Sequence, residues 1–182
     1  MKRANLKLTN ALLFPLVLGA SGLTGCNSSA DIFSEFAVEG VSIDGARLSI
    51  GSTTRTEVFF ETKLFPDGEP KGLEVVAMLT PSLSYVEGSS RLYDGSTSRS
   101  ERRTPDRVVR CQDGSIFIVY DFSDSELDGR SLVGDNDFGL HFDIKGERAD
   151  DDARVEAAAG EDQEFDCDRS FGAEESDSIV VE

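Results

Sequence analysis

The chain has 182 residues, 38% of them hydrophobic, and 18 Lys and Arg stand against 35 Asp and Glu for a net charge of −17. That length and apolar fraction suit one domain with short appendages and exclude wholesale disorder. The acidity excludes nucleic acid as a main partner, because phosphates are gripped by basic surfaces. One His and no Trp also leave little of the usual equipment for catalysis or sugar stacking.

Lys2, Arg3 and Lys7 precede an apolar run from Leu8 to Leu18, followed by Gly19, Ala20, Ser21 and Gly22. Basic, then apolar, then small is the order of a secretory signal peptide. The run falls short of the roughly 20 residues that span a bilayer. The segment closes on Leu23-Thr24-Gly25-Cys26, which resembles the lipobox of bacterial lipoproteins. The resemblance implies cleavage before Cys26, a thioether-linked diacylglycerol on its thiol and an acylated amino terminus. The membrane is then an expected partner, because two or more acyl chains anchor stably where one does not. Asn27, not Asp, follows the Cys. In Gram-negative members an Asp there favours retention at the inner membrane, so the outer membrane is the expected address if the organism has one.

Cleavage removes three bases and no acid, which takes the net charge to −20. Residues 26–39 read as a polar and acidic tether. Residues 40–149 carry a net −6 and read as a globular body, while 150–182 carry −11 and read as an acidic C-terminal tail.

Within the body the signal is period two. Ala46 to Ile50 alternates; Thr56, Val58, Phe60, Thr62 and Leu64 share a face; Leu73, Val75, Ala77 and Leu79 share another. Ile116, Ile118, Tyr120 and Phe122 form a core face. Phe138, Leu140, Phe142 and Ile144 do the same opposite Gly139, His141, Asp143 and Lys145. Turn signals at Pro66-Asp67-Gly68, Asp94-Gly95, Asp113-Gly114 and Asp128-Gly129 separate the runs. Ala153 to Ala159 reads as a short helix. The pattern predicts an all-β fold: a single antiparallel β-sandwich of seven or so strands.

Leu79-Thr80-Pro81-Ser82-Leu83-Ser84-Tyr85-Val86-Glu87-Gly88-Ser89 resembles a stretch of the DUF11-like, immunoglobulin-like repeats of bacterial cell-surface proteins. Ser82 stands where that family usually has Gly, and the module is single where the family's run in tandem. The resemblance implies an immunoglobulin-like sandwich in a surface setting and brings no catalytic residues.

With Cys26 consumed by lipid, Cys111 and Cys167 remain. In an oxidising compartment they either pair or stay as two buried thiols. A bridge would contribute on the order of 4 kcal/mol in the chain-entropy model. Arg99, Arg102, Arg103, Arg107 and Arg110 form a basic cluster just before Cys111. Either the tail acids Glu164, Asp166 and Asp168 offset it, each exposed pair adding about 0–1 kcal/mol, or it binds an anionic glycan or lipid headgroup.

Catalysis is not expected. His141 faces away from the apolar side of its strand, Gly-x-Ser-x-Gly is absent, and no glycine-rich phosphate loop occurs. No cofactor is expected, with calcium as the one alternative: Asp135, Asp137, Asp150, Asp151 and Asp152 are either solvated acids or oxygen ligands. The sequence thus predicts an exported, lipid-anchored envelope protein with a structural or interaction role and an envelope protein or glycan as partner. The alternative is a ligand-binding lipoprotein.

Overall fold

The structure is a computed structural model that describes residues 33–64, 73–95, 99–122, 134–161, 167 and 171–182. The signal segment, Cys26, the turns at 66–68 and 128–129, and Glu164, Asp166 and Asp168 lie outside the described residues.

Twelve strands are described: β1 (Phe33–Ile43), β2 (Arg47–Leu48), β3 (Thr53–Leu64), β4 (Leu73–Leu79), β5 (Leu83–Tyr85), β6 (Arg91–Asp94), β7 (Arg99–Arg102), β8 (Arg107–Arg110), β9 (Ile116–Phe122), β10 (Gly134–Gly146), β11 (Asp150–Glu161) and β12 (Glu175–Val181). The first sheet runs β1-β3-β10-β6-β7, with β5 also paired to β10, and the second runs β2-β12-β11-β4-β9-β8. All pairings are antiparallel except the short parallel contact of β2 with β12. The result is a two-sheet β-sandwich, as the alternation predicts, with more strands than the seven or so expected.

The period-two faces meet in the middle. Val58 and Phe60 of β3, Phe138, Leu140, Phe142 and Ile144 of β10, Val75, Ala77 and Leu79 of β4, and Ile116, Ile118, Tyr120 and Phe122 of β9 are all buried there. Phe60 joins the layers: its ring centroid lies 5.4 Å from Phe138 in its own sheet and 5.5 Å from Phe122 in the other. Aromatic and β-branched residues suit such half-buried pleated surfaces. A buried polar line runs from Tyr120 Oη to Ser90 Oγ at 2.7 Å and on from Ser90 Oγ to Tyr85 Oη at 2.8 Å.

Four expectations are corrected. The domain does not begin at residue 40: β1 starts at Phe33 and pairs with β3 along its length, with a register shift at Gly40. Nor does it end at 149. β11 lies between β12 and β4, so much of the acidic tail is sheet. The helix at 153–159 is strand instead. Ala153, Val155, Ala157 and Ala159 are buried at period two against the other sheet, and that packing overrides the helical preference of Ala. The Ala46–Ile50 run is also shorter than its alternation suggests, with only Arg47–Leu48 paired and Ile50 exposed.

Candidate functional site

The disulfide forms. Cys111, just after β8, is bonded to Cys167 across 56 residues with the Cα atoms 5.4 Å apart, inside the span a bridge allows. It ties Cys167, in the stretch between β11 and β12, to the end of β8 in the second sheet. There Val76, Phe117 and Val119 form a separate apolar cluster with Cys111 and Phe171 packed on it, and the Phe171 ring meets Phe117 edge-on at 5.5 Å.

The five arginines are divided between the two sheets and the crossover that joins them. Arg99 and Arg102 lie on β7 at the edge of the first sheet, while Arg107 and Arg110 lie on β8 at the edge of the second. Arg103, in the crossover, is largely buried. It donates to Asp106 Oδ2 and the Thr104 carbonyl, both at 2.8 Å, and its guanidinium sits 5.3 Å from the Phe122 ring centroid. Arg107 reaches across the second sheet to Glu74 of β4 and lies 3.5 Å from Asp121. Arg103 is therefore taken up in closing the sandwich edge, whereas Arg107 is half exposed and paired with carboxylates of its own sheet.

Of the calcium candidates, Asp150 is engaged by the protein itself. Its Oδ2 accepts from Ser82 Oγ at 2.7 Å and its Oδ1 from the Asp152 amide at 3.0 Å, and the Ser82 bond foremost holds its carboxyl below the usual carboxylate range. Asp152 pairs with Arg154, and Asp151 is exposed. Asp135 and Asp137 fall within β10 opposite Lys63 and Glu61. Among the described residues no three His, Cys, Asp or Glu side chains gather as a metal set.

A cavity of about 430 Å³ opens on the outward face of the first sheet, lined by Arg55, Arg91, Tyr93, Ser100, His141 and Asp143 with Gly88 and Ser89 at its rim. Strand register builds it. Glu57 of β3, His141 of β10, Arg91 of β6 and Arg102 of β7 stand in one row across four strands. The next row carries Phe59, Gly139, Tyr93 and Ser100. Arg55 faces Asp143 in the row on the other side.

His141 points away from the core as expected, yet it is not freely exposed. Its ring stacks on Tyr93 at 5.7 Å and 19°, and its Nδ1 lies 3.6 Å from Glu57 Oε1. Gly139 makes this possible, because a Cβ there would lie 3.0 Å from His141 Nε2. Gly88 takes φ +76 in the turn before β6, and Arg102 Nη2 would lie 3.1 Å from a Cβ at that glycine. Ser89 Oγ donates to the Val86 carbonyl at 2.6 Å and accepts the Asp143 amide at 2.9 Å. That hydroxyl braces the loop and is not poised as a nucleophile.

Alternation alone turns His141 and Asp143 outward, but it does not reveal Arg55, Arg91 and Tyr93 as their neighbours. The alternation gave each strand's face, and only the pairing order puts β6 beside β10.

No protein-family model matches the chain, and no curated protein matches it. Among solved structures the chain is similar to the major pilin subunit BcpA of Bacillus cereus, at 13% identity and TM-score 0.48 over 81% of this chain and 40% of that one. It is also similar to the T6 backbone pilin of Streptococcus pyogenes, at 13% identity and TM-score 0.49 over 78% and 35%. A third is a cohesin module from a Clostridium perfringens glycoside hydrolase, at 11% identity and TM-score 0.39 over 81% and 98%. The chain spans less than half the length of the two pilins.

Proposed function

We propose that the chain is an exported envelope protein, held to a membrane by lipid on Cys26, whose sandwich has a non-catalytic structural or interaction role of an adhesion-like kind. The observation that carries this reading is the Cys111–Cys167 bridge. Disulfides persist in oxidising compartments, so a sandwich whose C-terminal strands are held by one fits a destination outside the cytoplasm. The basic, apolar, small order of residues 1–25 addresses the same destination. The lipobox-like Leu23-Thr24-Gly25-Cys26 supplies the anchor, with the outer membrane favoured in a Gram-negative organism.

The interaction role is supported by the surfaces the fold leaves uncovered. β7 and β8 are exposed along their length at one edge of the sandwich, and Val108 and Val109 stand there 44% and 40% exposed. Such edges are natural sites for another chain to dock. Substituting Cys26 with Ala tests the anchor: the protein is expected to move from the membrane fraction to the soluble one. Retention in the membrane fraction would contradict it.

A further inference from the structure

We propose that the cavity on the outward face of the first sheet is a binding site for an acidic sugar, a pyranose ring carrying a carboxylate. Its first support is a charge arrangement that a fold gains nothing from by itself. Arg91 and Arg55 line the cavity; Arg102 stands beside it, next to Gly88 and directly opposite Arg91 on β7, and like charges so placed destabilise a sheet. Neither Arg91 nor Arg102 forms an ion pair or hydrogen bond among the described residues, and the same holds for Arg55. Guanidinium forks match a carboxylate in geometry as well as charge, so a bound carboxylate would relieve the repulsion and use the donors.

The other lining groups select what carries that carboxylate. Asp143 lies in the same cavity, opposite Arg55. A bare anion would be repelled by it, whereas a sugar brings hydroxyl groups that donate to it. Ser100 supplies a further hydroxyl partner at the cavity wall. The stacked rings of Tyr93 and His141 give a rigid, partly apolar wall for the C–H face of a ring. An aromatic wall with a few convergent polar groups is how small-molecule sites are built.

The whole-molecule field narrows the choice again. A net charge of −17 for the chain repels an anionic membrane or a long polyanion approaching from a distance. A short acidic saccharide needs only the local arginines. The inference rests on reading the chain as an interaction module and not on the anchor at Cys26. A protein that binds the sugar but fractionates as soluble would remove the anchor and leave the site standing.

The test is calorimetric titration of the purified full chain with trigalacturonate, with neutral galactotriose and inorganic phosphate as comparison ligands. Saturable binding of trigalacturonate is expected, about 10-fold or more tighter than the neutral trimer and not displaced by equimolar phosphate. Arg91→Gln with Arg102→Gln, and separately Tyr93→Ala, are each expected to weaken it by about 10-fold or more. Arg47→Gln, on the other sheet, is expected to leave it unchanged. Without ligand, Arg102→Gln is expected to raise Tm by on the order of 1–3 °C, because the like-charge pair is gone. Absence of trigalacturonate binding, wild-type affinity in the arginine double variant, or equal displacement by phosphate would each overturn the proposal. A Tm unchanged or lowered in Arg102→Gln would overturn the charge argument beneath it.

Discussion

Asp177 of β12 accepts the backbone N–H of Ile43 of β1 at its Oδ2, at 2.8 Å, so a side chain of one sheet caps the open edge of the other. Glu174 does the same a few residues away, its Oε2 taking the Val38 N–H at 2.7 Å. β1 is the edge strand of the first sheet, and among the described residues no strand pairs with its outer side. Two carboxylates from the acidic C-terminal segment therefore serve as edge acceptors, which both satisfies buried donors and blocks that edge against other strands.

This predicts a selective cost. Asp177→Ala is expected to lower stability by about 1–3 kcal/mol, since it strands an amide and removes a charged acceptor. Asp177→Asn, which keeps an acceptor oxygen, is expected to lose less. Urea denaturation of the three proteins checks the order. Equal losses in both variants would mean that the charge alone matters and not the acceptor.

The Cys111–Cys167 bridge is expected to govern the outward face of the second sheet. Cys167→Ser should cost about 2–4 kcal/mol, the usual range for a bridge closing a loop of tens of residues. It should also uncover the cluster of Val76, Phe117 and Val119 on which Phe171 packs. Increased binding of a hydrophobic dye in Cys167→Ser, reproduced by reductant in the wild type, is the expected reading. Dye binding that stays at the wild-type level would show that Phe171 keeps its place on the cluster without the bridge.

Tyr120 sets an alkaline limit. Burial above all pushes its hydroxyl well above the ordinary tyrosine range, against a smaller opposing effect of the Ser90 hydrogen bond. A group whose folded pKa is raised contributes stability that is complete below its unfolded value, about 10, and is lost as pH rises beyond it. Tyr120→Phe is expected to cost about 1 kcal/mol at neutral pH through the lost Ser90 bond. Its deficit should shrink as pH rises above about 10, because the wild type alone must then bury an ionising phenol. A deficit constant across pH 7 to about 11 would remove this account.

Strands β3 and β10 were legible because each has a single apolar face, with the residues at period two buried; β9 was legible as an apolar run, but its outward Phe117 and Val119 are buried as well. β11 was not, because Ala157, Ala158 and Ala159 favour a helix in isolation and become strand only by packing against β4 and β12. β1 was hidden for a related reason. Its acids suggested a solvated tether, whereas pairing with β3 makes it part of the sheet. Charge is a poor guide to where a domain ends when carboxylates such as Glu174 and Asp177 act as backbone acceptors. The cavity was legible only in part: alternation turned His141 outward, but no local signal places Arg91 and Arg102 in its row, since that depends on the pairing of β10, β6 and β7.

The central claim is that this sandwich is displayed in the envelope from a lipidated first residue, and the intact mass of the protein recovered from its membrane tests it most directly. The account predicts a polypeptide that begins at Cys26, heavier than its sequence by a diacylglyceryl group and a further acyl chain, with Cys111 and Cys167 oxidised. A mature protein that begins at another residue, or carries no lipid on Cys26, would contradict it.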